Sequence, residues 1–592
     1  MRLTVFAVLI VFILGCKYEQ DKSNVINYHT VFEESKGQKT ATYQETIDFY
    51  IELAKDFPEV NIQMIGKTDS GHPLHIVTFN PAGDFNFQNI RKDKTLILIN
   101  NGIHPGESDG IDASMLLFRD LVTHKIEHPK NVVLVSIPIY NIGGALNRNS
   151  TTRANQNGPE SYGFRGNAQN YDLNRDFIKA DSKNAKTFAQ IFHLVKPDIF
   201  VDTHVSNGAD YQYTLTHLFT QHNKLGGELG NYLQHVIIPK LEQGLEAAKW
   251  PITPYVNVFN RPPNGGFSQF MDYPRYSTGY TSLWNVMGMM VETHMLKPYK
   301  QRVEGTYELL KQMTQIAEKE HTTIKTLREK VNDTTKEALT YHLNWKIDST
   351  KTQIISFRGY EADTIQSEIT GFQRLKYNRT QPFIKDVVYY NTYVPNDTIV
   401  VPAAYIIKKG WHAIVERLEQ NQIEYKLLEQ DTTLQVESYK IASYDTRKSP
   451  YEGHYLHYNT SVEAATKNVA FDKGDYLVTT DQVGIRYLIE TLEPAATDSF
   501  FNWNFFDPIL QQKEGFSPYV FEDVALDLLT KNQTLCDSFL LKKENDKAFS
   551  NNWYTQLSWI YKKSRYYEPA HLQYPVYRVL KNSNSSKILE LD

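Results

Sequence analysis

The pattern of apolar and polar positions changes period several times along the chain. Thr42 and Glu45 form a capping box, and Ile47, Tyr50, Ile51, Leu53 and Ala54 follow at helical spacing until Pro58 stops the run. Continuous apolar runs then alternate with helical ones. Thr95–Asn100, Asn131–Ile137 and Asp198–Asp202 read as buried strands, and Ile111–Val122 and Ala185–Val195 as the helices between them. Met287–Val291 is a further short strand, and Tyr299–Lys330 a long charged helix that closes this part of the chain. Buried strands alternating with helices predict an α/β fold with a mixed, mostly parallel sheet and helices on both of its faces.

Past residue 335 the texture changes to short segments rich in Tyr, Ile, Val and Thr. Thr352–Phe357, Asp386–Tyr393 and Thr398–Ile407 are strand-like, and Trp411–Gln420 is helical. Residues 335–592 are therefore expected to form a separate, β-rich α+β accessory region. Its aromatic stretches Phe500–Phe506 and Trp553–Tyr567 are read as core or interface packing.

The amino terminus has its own signature. Arg2 precedes an apolar run, Leu3–Leu14, that is too short to span a bilayer and ends Ile13-Leu14-Gly15-Cys16. An apolar residue, a small residue and then Cys resembles a bacterial lipoprotein signal, so residues 1–16 are expected to be a signal peptide, with Cys16 lipidated. Residues 17–40 are read as a polar tether. Lys17, not Asp, after Cys16 favours outer-membrane sorting. The expected location is extracytoplasmic, with a lipid anchor as the sole membrane attachment, because no later segment is long and apolar enough to cross.

The 592 residues predict more than one domain, and with 63 basic and 68 acidic residues the chain has no basic excess with which to displace phosphate counterions. Nucleic acid is thereby excluded as a partner. Cys16 and Cys536 are the two cysteines, so no disulfide framework follows; Cys536 reads as a buried apolar residue.

Open α/β sheets bind ligands beyond the carboxyl ends of their strands. The polar residues there are His104 and Glu107 after the first buried strand, His204 after Asp198–Asp202, and Glu292 after Met287–Val291. Two histidines and a carboxylate, with a second carboxylate apart, form the ligand and base set of a catalytic zinc site. Each piece alone is weak, since 18 His and 68 acidic residues leave about two His-x-x-acid spacings expected by chance. The convergence at strand ends is what carries weight. Arg153 beside Asn155, and Asn174 beside Arg175, add planar donors of the kind that grip a carboxylate. His294 and His217 are read as packing or solvent-facing residues.

The order His104-x-x-Glu107, Arg153, Asn174-Arg175, His204, Glu292 resembles the zinc carboxypeptidases of the M14 family, over roughly residues 41–330. The resemblance implies one zinc ion on His104, Glu107 and His204, with Glu292 as general base and Arg153 stabilising the oxyanion. It also implies that Asn174 and Arg175 hold the substrate's terminal carboxylate and that Asp172 orients His104. Tyr276 is taken as the substrate-clamping tyrosine, with Tyr280 its competitor. Pro105-Gly106, Asp176 and Thr293-His294 depart from the carboxypeptidase A pattern and bear on side-chain preference. The expected activity is zinc-dependent hydrolysis of C-terminal residues from peptides with a free carboxylate, with no obligate protein partner. A cell-wall peptide amidase using the same site and a non-catalytic peptide- or glycan-binding lipoprotein are the alternatives.

Overall fold

The computed structural model describes residues 28–581. The signal peptide, Cys16 and the first part of the tether lie outside the described residues. Strands β1 (Val60–Lys67), β2 (Pro73–Phe79), β3 (Thr95–Asn100), β4 (Val132–Ile137), β5 (Ile199–Ser206), β6 (Leu215–Phe219) and β7 (Ile252–Pro254) precede β8 (Phe267–Ser268) and β9 (Met287–His294). All but β8 form one eight-stranded sheet in the order β1-β2-β4-β3-β5-β9-β6-β7. Its centre, β4-β3-β5-β9, is parallel, and β1, β2 and β6 bring antiparallel pairs.

Strand periodicity assigns the two faces. Thr203 on β5 points at the helix Asp109–Val122, where a Cβ on Gly110 would come within 2.1 Å of the Thr203 hydroxyl. Its neighbours Phe200 and Asp202 point the other way, Phe200 against Phe188 of the helix Lys183–Val195 and Asp202 against Ser277. Helices thus cover both faces, as the sequence predicts. The closing helix runs from Tyr299 to Lys336, further than its charge pattern indicated. It is pinned by Arg302, fully buried, whose Nε donates to Asp109 at 2.9 Å and whose remaining donors reach the carbonyls of Asn157, Gly158, Met295 and Lys297. With its donors satisfied, the guanidinium meets the condition under which a buried charge is tolerated.

Two expectations need correction. Residues 28–40 are not an unpatterned tether: Thr30 and Glu33 form a capping box for Val31–Glu34, and Phe32 is buried in the main core against Tyr299. One aromatic anchor at the right spacing outweighs the polar composition around it. Cys536 is half-exposed rather than buried, because its helix, Gln533–Asn545, buries Phe539 alone.

The second half is β-rich. Strands β10 (Thr340–Ile347), β11 (Gln353–Gln366), β12 (Gln373–Tyr390) and β13 (Tyr393–Val400) lead into a six-stranded sheet that includes Ala404–Ile407. Four short helices between Pro518 and Tyr561 form a small cluster of their own around Phe521, Phe549 and Tyr561. Phe500, Phe501, Trp503 and Phe506 are buried in the main core, whereas Trp553 and Tyr554 are exposed. The region packs against the first half of the chain. β12 pairs with β8 through Tyr389↔Phe267 and Tyr390↔Ser268, and Tyr211, Tyr213 and Phe267 from the first half pack with Phe357 and Tyr389 from the second.

A buried acid gives this region a pH dependence. Glu490, on the helix Ile485–Leu492, accepts a hydrogen bond from the Tyr341 hydroxyl at 3.0 Å, and burial pushes its carboxyl up to about 7. Between the ordinary carboxylate range and that value the folded protein holds a proton that the unfolded chain has released, so stability falls as pH rises through this window. Glu490→Gln is therefore expected to stabilise by about 2 kcal/mol at pH 8 and by little at pH 5. Thermal melting at the two pH values checks this; an equal shift at both would refute it.

Candidate active site

The site is assembled at the carboxyl ends of β3, β5 and β9. The parallel pairing of β5 and β9 continues through Ser206↔His294, so His204 and Glu292 lie on the strands themselves, opposite one another in register and on the same face. His104 and Glu107 come from the turn after β3. There a Cβ on Gly106 would sit 2.5 Å from the Arg153 side chain crossing over it and 3.0 Å from the Gly163 carbonyl, so any larger residue displaces Arg153.

Three donors converge. Nδ1 of His104 and Nδ1 of His204 each lie 3.2 Å from Glu107 Oε2, and all three residues are buried. Their donor atoms fall within 4.8 Å of one another, the one such His/Cys/Asp/Glu group among the described residues. The other ring nitrogens face carboxylates: His104 Nε2 is 2.9 Å from Asp172 Oδ1, and His204 Nε2 is 2.9 Å from Asp202 Oδ2. A carboxylate behind each imidazole fixes the ring and directs Nδ1 at the common point. Two nitrogens and one carboxylate oxygen aimed at one spot fit a zinc ion with an open position. Asp202 is itself held by Asn100 Nδ2 at 3.0 Å and by the Ser277 hydroxyl.

Burial would push the Glu107 carboxyl up, but His104 and Arg153 beside it hold it well below the usual carboxylate range. Burial likewise opposes ionisation of Asp172, and His104 and Arg165 overcome it. Glu292 behaves oppositely: burial pushes it up to about 7, with Glu107 reinforcing the rise and His204 and Arg165 opposing it.

Around the donors is a pocket of about 570 Å³, lined by all the residues singled out for chemistry except Asp172, which stands behind His104. Asn174 is nearly buried, with its backbone N–H on Asp172 Oδ1 and its own Oδ1 accepting from the Ser277 N–H at 3.1 Å. The Arg175 guanidinium lies 4.7 Å from the centre of the Tyr276 ring. Tyr276 lines the pocket. Tyr280 does not: it is buried among Phe177, Phe188, Phe192 and Trp284, with its hydroxyl on Asn421. Arg153 places Nη1 2.9 Å from Glu107 Oε1 and its Nε on Gln156.

Sequence reasoning passed over Arg165 and Asp202. Arg165 opens into the pocket, bonded to Asp172 through Nε (3.0 Å) and Nη2 (2.8 Å), and its Nη1 is 3.5 Å from Glu107. Its one local signal is its place between Gly163 and Gly166, seven residues before Asp172. Asp202 had a clearer one, since two residues before His204 on a strand means the same face. His294 and His217 are buried outside the donor set, His294 stacked on Tyr211 and bonded to Asp210, and His217 paired with Glu242. A larger crevice of about 810 Å³, near His193 and Trp284, contains none of these residues.

Residues 46–199 match the model of the zinc carboxypeptidase family, Peptidase_M14. The chain is 22% identical over 498 residues to Carboxypeptidase 2 of Trichophyton rubrum, covering 79% of this chain and 84% of that one. Solved structures that resemble it include carboxypeptidase A from Helicoverpa armigera (16% identity, TM-score 0.36, 48% of this chain and 74% of that one). A metallo-carboxypeptidase from Burkholderia cenocepacia is similar to the same degree (14% identity, TM-score 0.36, 48% and 70%). The family match over residues 46–199, which contains His104 and Glu107, and the convergence of these two with His204 support a zinc metallocarboxypeptidase hydrolase.

Proposed function

We propose that the protein is an exopeptidase that removes C-terminal residues from peptides outside the cytoplasm. The observation that carries this reading is that Arg175, Asn174 and Tyr276 share one pocket with the metal donors and Glu292. A cationic fork beside a hydrolytic centre selects substrates that end in a free carboxylate. Zinc held by His104, Glu107 and His204 would supply Lewis acidity and lower the pKa of water near it.

The chain's own residues account for the rest. Glu292 takes a proton from the attacking water and returns it to the leaving amine. Arg165 and Arg153 supply the cationic donors for the oxygen that becomes negative as the carbonyl is attacked. Arg175 and Asn174 hold the terminal carboxylate, and Tyr276 closes over it. Leu218, Phe270 and Met290 give the pocket an apolar part.

The lipoprotein-like leader supports an extracytoplasmic location with attachment through a lipid at Cys16, at the outer membrane in a host with two membranes. No helix among the described residues is long and apolar enough to cross a membrane.

Mass spectrometry of a peptide pool incubated with zinc-loaded protein tests the activity. Stepwise loss of C-terminal residues from free-acid peptides, with their C-terminally amidated counterparts left whole, is the expected result. Cleavage of muropeptides in place of the free-acid pool would replace the reading with the cell-wall amidase.

A further inference from the structure

We infer that the accessory region supplies two positioning residues, Glu452 and Asp498, which set the two loops that grip the substrate's terminal carboxylate. The inference rests on the exopeptidase reading and extends it to residues more than 150 positions beyond the last pocket residue.

The first loop is Tyr171–Arg175. Glu452 Oε2 accepts the backbone N–H of Asp172 at 2.8 Å, from 280 residues away in sequence. Gly453, at φ +82°, packs against Tyr171, where an added Cβ would come within 3.0 Å of the ring and of its hydroxyl. His454 Nε2 reaches Asp181 at 2.7 Å, and Arg417 Nη2 meets the same carboxylate at 3.1 Å. Between these contacts Lys179 is fully buried, bonded to Asp176 and Asp181 and lying over the rings of Tyr171 and Trp503.

The second loop leads into Tyr276. Its Arg275 makes three contacts with the fully buried Asp498: backbone N at 2.8 Å, Nε at 2.8 Å and Nη2 at 2.7 Å. The same guanidinium lies over Tyr451 and Trp503. One accessory surface, residues 451–454 with 498–503, therefore holds the backbone of Asp172, three residues before Arg175, on one side and Arg275, next to Tyr276, on the other.

All the pocket's lining residues among the described ones precede residue 296, so Glu452 and Asp498 act through other groups. Glu452 holds the backbone of Asp172, whose side chain orients His104 and pairs with Arg165. Loss of its acceptor frees the segment that presents Arg175. A hydrogen bond to a charged acceptor is worth enough to shift an equilibrium about tenfold.

The test compares Glu452→Ala and Glu452→Gln in the full chain, with KM, kcat, zinc affinity and melting temperature measured for each. Glu452→Ala is expected to raise KM for free-acid peptides about tenfold, to change kcat less than about threefold, and to weaken zinc binding several-fold through Asp172 and His104. Glu452→Gln keeps an oxygen for the Asp172 N–H and is expected to restore both. Unchanged KM and zinc affinity in folded Glu452→Ala would overturn the inference, as would equal impairment of both variants.

Should Glu452→Ala not fold, Asp498→Asn decides the matter: an increase in KM supports the inference and an unchanged KM overturns it. Protein that binds zinc but cleaves no peptide sinks the exopeptidase reading alone, and the zinc affinity of Glu452→Ala still decides this one.

Discussion

Glu292→Gln is expected to lower kcat about a thousandfold, within the range by which a positioned acid or base accelerates a reaction, while the protein keeps its zinc and its substrate affinity. Gln fills the same space, so the pocket is preserved and only the proton acceptor is lost. Three features single out Glu292. Its register with His204 across β5 and β9 fixes its distance from the donor set through backbone pairing rather than through a loop. It lines the pocket that holds Arg175 and Tyr276, so a substrate anchored there presents its scissile bond nearby. Burial pushes its carboxyl up to about 7, which suits a group that must take and release a proton near neutral pH. Steady-state kinetics on a free-acid peptide, with bound zinc quantified in the same samples, checks the prediction. A variant that retains full zinc and turns over within a few-fold of the parent would remove Glu292 from the proton-transfer role.

The donor set and Glu292 were legible in the sequence because they sit on or just after strong apolar runs, whereas Arg153, Asn174, Arg175 and Tyr276 lie in loops and were reached through the order of the motif. β3 spans the predicted Thr95–Asn100, and the Thr42–Glu45 capping box does start the helix Tyr43–Asp56. Strand length was not legible: β5 and β9 continue to Ser206 and His294 because each pairs with the other, a fact of neighbours rather than of local pattern. The same limit applies to segment boundaries in the second half, where Asp386–Tyr393 spans the end of β12 and the start of β13. Contacts made across hundreds of residues leave no local mark. Glu452 on Asp172 and Asp498 on Arg275 are such contacts, and no motif in the sequence marked either acid. Composition misled at residues 28–40, where the buried Phe32 and one capping box organise a stretch that is otherwise polar.

Arg165→Ala is expected to reduce kcat/KM between about a hundredfold and a thousandfold, or about 3 to 4 kcal/mol, with a clearly smaller loss from Arg153→Ala. The family resemblance pointed to Arg153 for the oxyanion, but the geometry divides the two arginines. Arg153 lines the pocket but is engaged there, with Nη1 on Glu107 and Nε on Gln156, its side chain crossing Gly106 and only 19% exposed. Arg165 is held at one edge by Asp172, leaves Nη1 a looser 3.5 Å from Glu107, and remains 44% exposed to the pocket. It also lies close enough to Glu292 to oppose the rise of that carboxyl. A cation beside Glu107 and within electrostatic reach of Glu292 is placed to meet negative charge developing on the attacked oxygen without reorganisation. Because Arg165 also steadies Asp172, zinc content must be measured alongside, and Arg165→Lys separates charge from the two-point grip on Asp172. A loss shared by Arg165→Ala and Arg165→Lys at full zinc would assign the effect to the fork's geometry. A larger loss in Arg153→Ala than in Arg165→Ala would return the oxyanion role to Arg153.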